Sequence, residues 1–76
     1  NDLEITGTGI TKVVITAVNA SYATVLAGSL TSTGATAVAD GSNVVVTVTE
    51  GTLDEIAFTT TAQARINNIV VTYVAG

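Results

Sequence analysis

Acid–base chemistry in this sequence would rest on six carboxylates, because histidine and cysteine are both absent. Without them no Ser/His/Asp or Cys/His arrangement can form, and neither can a thiolate or imidazole metal site. The adjacent carboxylates Asp54 and Glu55 lie in a segment that alternates like a β-strand, so they point to opposite faces. Glycoside hydrolysis needs two carboxylates that converge on one bond. The sequence therefore predicts a protein that is not an enzyme and has no cofactor.

The stretch around Asp40 is a second place whose residues could bind a ligand. Asp40 and Asn43 offer the hard oxygen donors that calcium takes. One carboxylate and one amide are too few for a complete coordination shell. Asp40-Gly41 is instead a strong hairpin signal, with these two residues at the centre of a type I′ turn. We therefore expect a turn here and no metal site.

Two residues are candidates for contact with sugars. Phe58 and Tyr73 fall on the apolar positions of their strands and are expected in the core, which leaves Tyr22 as the candidate ring for a ligand contact. Asn19-Ala20-Ser21 fits the N-glycosylation pattern, so Asn19 is a candidate glycosylation site. An unmodified polar turn is the simpler interpretation of that tripeptide.

The net charge of −4 excludes several kinds of partner. Lys12 and Arg65 are the only cations, whereas nucleic-acid binding and docking on anionic lipid both need a basic surface. No apolar run approaches the roughly 20 residues of a membrane-spanning helix. We therefore expect no nucleic-acid partner and no membrane span. Arg65 is expected to pair with Asp54 or Glu55 across neighbouring strands.

A β-sheet is the scaffold that must position these residues. Valine, threonine and isoleucine occupy 33 of the 76 positions, and such side chains suit a pleated, half-buried surface. Segments that alternate with period two are 2–6, 10–18, 35–39, 43–49, 53–60 and 64–75. Residues 22–26 fit either a strand or one helical turn capped by Ser21, and Asn67-Asn68 marks a candidate bulge. The pattern predicts an all-β antiparallel sandwich, jelly-roll-like, of six or seven strands.

From Ile10 to Tyr73 the sequence resembles a β-sandwich module common in secreted and cell-surface bacterial proteins. The resemblance rests on Ile10-Thr-Lys-Val-Val-Ile15, Tyr22-Ala23, Gly41-Ser-Asn-Val-Val-Val-Thr and, most specifically, Gln63-Ala-Arg-Ile-Asn-Asn-Ile-Val-Val-Thr-Tyr73. Such modules look like galactose-binding-type jelly rolls. The resemblance implies that fold and an extracellular or cell-surface location, and it implies no particular activity.

The small size of the chain points to self-association. The chain is a single domain, 1–76, and a domain of this size buries only about 60% of its unfolded surface. It has no cysteine and therefore no disulfide to stabilise it. It also has no proline to protect the edges of its sheet. Residues 1–9 are predicted to be a donor strand plus a glycine hinge, and residues 10–76 the sandwich body. Leu3 and Ile5 of the donor would fill pockets in a neighbour's sheet. The sequence therefore predicts a homo-oligomer or polymer, the structural subunit of an extracellular fibre or surface assembly.

Two alternatives stay open. One is a carbohydrate-binding or adhesion module of a larger secreted bacterial surface protein, with a glycan as partner. The other is a phage or capsid decoration protein. Few charges and many small polar residues favour an exported protein. A chain that starts at Asn1 without methionine is expected to be processed or excised from a longer one.

Overall fold

The computed structural model describes residues 2–74, which form one curled antiparallel β-sheet and one short helix. The elements are β1 (Asp2–Ala17), α1 (Ala20–Ala27), β2 (Ala35–Asp40), β3 (Asn43–Val48), β4 (Leu53–Thr59) and β5 (Ile66–Tyr73). The predicted all-β class is confirmed, as the β-branched composition requires. The described helix is too short to cross a membrane.

The long strand β1 organises the sheet, because three other strands pair with it. Residues 12–16 of β1 pair with β3 along one edge and with β5 along the other. Residues 2–6 pair with β4, and β2 pairs with β3. Ile10 has both Leu53 of β4 and Tyr73 of β5 as partners, so β4 continues along the edge that β3 occupies. Thus β3 and β4 pair with successive stretches of one edge of β1, β2 lies beyond β3, and β5 pairs with the other edge of β1.

The strand β1 is bent, because a straight strand of its length would not fit within the molecule. Sixteen extended residues would span about 50 Å, whereas the longest extent of the protein is 35 Å. Thr59 at the end of β4 pairs with Asp2, and Ile66 at the start of β5 pairs with Ala17. Residues 60–65 therefore connect the two ends of β1, which the curl brings within reach of one short segment.

The predicted break at Gly7-Thr8-Gly9 is a bulge, and β1 runs through it. The register with β4 shifts between Thr6 and Ile10. Gly9 has φ 76 and its N–H donates to Oδ1 of Asp54 at 3.2 Å. A left-handed backbone of this kind is easily adopted by glycine, and bulges bend the strand that carries them.

A helix, α1, takes the place of one predicted strand. Asn19 is its N-cap: the backbone there is extended, and its Oδ1 accepts a hydrogen bond from the N–H of Tyr22 at 3.1 Å. The cap predicted from sequence, Ser21, lies inside the first turn instead. The helix buries Ala23 and Leu26 and contacts β1, β2 and β3. The described residues accordingly contain five strands, not six or seven.

The core lies on one side of the sheet. Its buried residues are Ile5, Ile10, Val13, Ile15, Ala17, Ala23, Leu26, Val44, Val46, Ile56 and Phe58. Val13, Ile15 and Ala17 share the buried face of β1, as the period-two alternation of the segment 10–18 requires, and the predicted burial of Phe58 is confirmed. All the strands belong to one hydrogen-bonded sheet, so a sandwich or jelly-roll arrangement is not confirmed.

The β2–β3 hairpin lies where the sequence predicts a turn, shifted by one residue. Asp40 and Asn43 pair across the strands, so the loop residues are Gly41 and Ser42. Gly41 has φ 60, and no residue other than glycine has a positive φ in the described chain. Glycine alone at the first central position is the type II′ pattern, not the predicted type I′.

Candidate functional site

The adjacent carboxylates Asp54 and Glu55 alternate between the two faces of β4, as neighbouring strand residues do. Asp54 and Glu55 are both exposed on β4, and Asp54 is engaged by the N–H of Gly9. Asn43, considered with Asp40 for calcium, accepts a hydrogen bond at its Oδ1 from Oγ1 of Thr16 at 3.0 Å. Residues 2–74 contain no group of three or more acidic, histidine or cysteine residues that could hold a metal ion.

The residues considered for sugar contact have structural partners. Tyr22 is half-buried and packs against the core, and the exposed Asn19 uses its side-chain oxygen to cap α1. Arg65 precedes β5, and its carbonyl accepts from the N–H of Val18 at 3.0 Å. The prediction that Arg65 pairs with Asp54 or Glu55 assumed that their strands are neighbours in the sheet. That assumption is wrong, because β4 and β5 each pair with β1 and not with one another.

The candidate assembly residues Leu3 and Ile5 lie in the protein's own sheet. Leu3 pairs with Phe58 and Ile5 with Ile56, and Ile5 is only 8% exposed. The other edge of β4 is covered by residues 29–32, since the N–H of Thr31 donates to the carbonyl of Ala57 at 2.9 Å. The N-terminal half of β1 therefore occupies one side of β4 and a loop occupies the other.

A groove opens beside the start of β1. Its lining includes Asp2, Leu3, Leu26, Gln63, Ala64 and Ile66, and its volume is about 530 Å³. That volume falls within the roughly 300–1,000 Å³ of small-molecule sites. The described lining offers one carboxylate, one side-chain amide and no aromatic ring. Tyr22, the aromatic residue that the sequence suggests for a ligand contact, does not line the groove.

The strand β5 has an open edge and exposed apolar side chains. In the part of the chain that the structure describes, β5 pairs only with β1. Ile69 and Tyr73 lie on the core-facing side, because their partners are the buried Ile15 and Ile10, yet they are 37% and 49% exposed. The expectation that Tyr73 belongs to the core is thus wrong. The helix α1 packs chiefly over β1, β2 and β3. Its Leu26 lines the groove together with Ile66 at the start of β5, and the exposed Ile69 and Tyr73 lie farther along that strand.

The strand β2 forms the opposite edge of the sheet. Among residues 2–74 it pairs only with β3. Neither β2 nor β5 contains proline or lysine, the residues that commonly block open edges. Unpaired backbone groups on such an edge can accept another strand, with main-chain hydrogen bonds as the source of affinity.

Four valines form a row across the face opposite the core. Val38 pairs with Val45, Val45 with Val14, and Val14 with Val70. The two end members, Val38 and Val70, are 61% and 52% exposed. On one side of the valines lies a row with threonine on three of its four strands, Thr36-Thr47-Lys12-Thr72. On the other side lies a polar row, Asp40-Asn43-Thr16-Asn68. Sequence reasoning missed this row, because it exists only once the register of four strands is known.

The comparisons with known proteins add no template for this site. No protein-family model, no curated protein and no solved structure matches the chain significantly. The two open edges, the divided strand β1 and the groove are therefore the features of the molecule that bear on function.

Proposed function

We propose that the protein is a structural subunit of an extracellular fibre or surface assembly, and that copies associate by β-strand complementation through the N-terminal strand. The observation that carries the proposal is the division of β1 at Gly7-Thr8-Gly9. Residues 2–6 of β1 pair with β4, whereas residues 12–16 pair with β3 and β5, and beyond the glycines only Ile10 still pairs with β4. A rotation at the glycines would move residues 2–6 away and leave the second ladder in place.

The exchanged strand would make the same contacts in a neighbour that it makes in its own chain. Leu3 and Ile5 would pack beside Phe58 and Ile56 of the next copy. Burial of each aliphatic side chain is worth about 1.5–3 kcal/mol, and exchange conserves that energy. Exchange of an identical element is a low-cost route to association, and a head-to-tail version does not close, so it grows a filament.

Two further properties support an assembled, exported protein. The core is small and has no disulfide to stabilise it, since the chain contains no cysteine, and partners are a common substitute in domains of this size. The chain also has few charged residues and is rich in threonine, alanine and glycine. The same composition favours the extracellular or cell-surface location that the resemblance to secreted bacterial modules implies.

Disulfide trapping tests the exchange directly, because the natural chain has no cysteine. Asp2 and Thr59 are paired and exposed, so the variant Asp2→Cys/Thr59→Cys reports where the N-terminal strand lies. Oxidation of concentrated protein should produce a ladder of covalent multimers on a non-reducing gel. The matched control is Thr36→Cys/Thr47→Cys, an exposed pair within the β2–β3 hairpin, which should stay monomeric. A monomeric band for both variants would contradict strand exchange.

The second candidate function is a carbohydrate-binding or adhesion module, and the groove is the observation that favours it. Its volume, the carboxylate of Asp2 and the amide of Gln63 suit a small polar ligand. Titration with galactose and other monosaccharides should shift the amide resonances of Gln63 and Ala64, and Gln63→Ala should abolish the shifts. Unchanged spectra at millimolar sugar would remove this candidate.

A further inference from the structure

We propose that copies of this chain also associate edge to edge, with β5 of one copy pairing antiparallel to β2 of the next. The inference rests on the proposed function in that both require self-association. It uses different residues, because strand exchange involves β1 and β4, whereas this contact involves the two outer strands. The occupant of each open edge is thus a second copy of the chain.

The directions of the strands fit this pairing. β3 and β5 are antiparallel to β1, and β2 is antiparallel to β3, so β2 runs with β1 and β5 runs against it. A copy displaced along the sheet therefore presents its β2 antiparallel to β5 of the first copy. The contact joins two different edges, and contacts of that kind propagate as an open filament unless rotation closes a ring.

Backbone groups on the outer side of β5 are directed away from the sheet. The N–H of Val74 donates to the carbonyl of Gly9 on β1 at 2.9 Å. Because successive residues of an antiparallel strand point their N–H and C=O to alternate sides, those of Ile69, Val71 and Tyr73 point to the open edge. These are the groups that an added strand would meet.

Backbone groups on β2 follow the same logic. The N–H of Thr49 donates to the carbonyl of Gly34 at 2.8 Å, so Gly34 faces β3. Alternation then directs the backbone groups of Ala35, Ala37 and Ala39 to the outside. Ala37 and Ala39 can pair with Val71 and Ile69 of the adjacent copy in one common register.

In that register the rows on the outer face continue from copy to copy. Val70 lies beside Val38 of the next copy, Thr72 beside its Thr36, and Asn68 beside its Asp40. Like charges do not meet, because β5 is uncharged and Asp40 is the only charged residue of β2. Aliphatic and threonine pairs directly opposite one another stabilise antiparallel strands.

The core-facing side supplies an independent reason for this occupant. Ile69 and Tyr73 are 37% and 49% exposed there, and α1 packs chiefly over β1, β2 and β3. The α1 of the next copy packs on its own β2, on the same side of the sheet. Placing that β2 against β5 therefore brings a helix beside Ile69. The contact would cover apolar surface that the single chain leaves exposed.

Cross-linking between two single-cysteine variants tests the register. Val70 and Val38 would form a non-hydrogen-bonded pair, with Cα atoms about 4.5 Å apart, within the range that a disulfide spans. An equimolar mixture of Val38→Cys and Val70→Cys should give about tenfold more covalent dimer on oxidation than either variant alone. Thr36→Cys mixed with Val70→Cys is the register control and should give little. Equal yields in all four samples would overturn the proposal.

A proline variant supplies the second measurement. Ala37→Pro removes an N–H that points outward, so it spares the ladder between β2 and β3. We expect unchanged circular dichroism and an association about tenfold weaker by analytical ultracentrifugation. Multimers of Asp2→Cys/Thr59→Cys without the Val38–Val70 cross-link would leave strand exchange standing and reject the edge contact. The cross-link without those multimers would give the reverse result.

Discussion

The strands β3 and β5 flank the same stretch of β1, and their burial is very different. Residues 12–16 of β1 pair with both strands, and both sequences are rich in alternating aliphatic residues. Val44 and Val46 of β3 are fully buried, whereas Ile69 of β5 is 37% exposed on the same side of the sheet. Pairing with a common partner therefore does not decide burial.

The difference comes from what lies over and beside each strand. β3 has α1 on its core-facing side and β2 along its outer edge. Among residues 2–74 no strand pairs with the outer edge of β5, and α1 packs chiefly over the other strands. The strand β5 also contains a bulge at Asn67, where Thr16 pairs with Asn68 and Ala17 with Ile66. The bulge predicted from Asn67-Asn68 is confirmed. The comparison shows that an alternating strand becomes core only where a second element covers it.

The largest effect is expected from truncating the matched valines of the two strands. Val46 on β3 and Val71 on β5 both pair with Val13, but only Val46 is fully buried. Val46→Ala should lower the free energy of unfolding by about 1.5–3 kcal/mol, and Val71→Ala by about 0.5–1 kcal/mol. Urea denaturation of both variants measures the difference. Equal losses would mean that β5 is as well covered as β3.

A smaller effect is expected where β5 is anchored to β1. A Cβ added at Gly7 would lie 2.5 Å from Cε1 of Tyr73, so the ring of Tyr73 lies directly over this glycine. Gly7→Ala should cost about 1–2 kcal/mol because the ring must move, and hydrogen exchange at the end of β5 should quicken. In a Tyr73→Ala background the same substitution should cost much less. A cost that survives removal of the ring would place the strain in the backbone of β1.

The smallest effect is expected from the N-cap of α1, the helix that packs over β3. Asn19→Ala removes the acceptor for the N–H of Tyr22 and should cost about 1 kcal/mol. Hydrogen exchange should increase more in β3 than in β5. Asn19→Ser keeps a capping oxygen and removes the glycosylation pattern, so it should restore stability. Failure of serine to rescue unmodified protein would argue against capping as the cause.

Much of the sheet was predictable from local pattern. The segments that became β2, β3 and β4 were predicted within a few residues, and the buried side of β1 beyond the bulge follows from the alternation of Val13, Ile15 and Ala17. Residues 22–26 were ambiguous because Tyr-Ala-Thr-Val-Leu suits both helix and strand. The hydrogen bond that the side chain of Asn19 accepts from the N–H of Tyr22 favours the helix. Burial of Ala23 and Leu26 stabilises it further.

The candidate site was less predictable, because it depends on neighbours distant in sequence. The alternation of Leu3 and Ile5 predicts a strand, and only the pairing of β1 with β4 shows that they lie beside Phe58 and Ile56 of the same chain. The valine row requires the registers of three strand pairs at once. Tyr73 is predicted in the core because it alternates in phase with Ile69 and Val71, yet it is 49% exposed in the folded chain.

The sequence by itself determined that this chain is a β-sheet protein with one apolar side, a turn near Gly41 and a bulge near Asn67, because side-chain branching, period-two alternation and glycine are local properties. The tertiary structure alone decided which strands pair, how far β1 curls and which edges stay open. Those features depend on the register between distant segments and on where α1 packs. A shift of one residue would exchange the two faces of a strand, so the open edges and the valine row are consequences of the assembled fold.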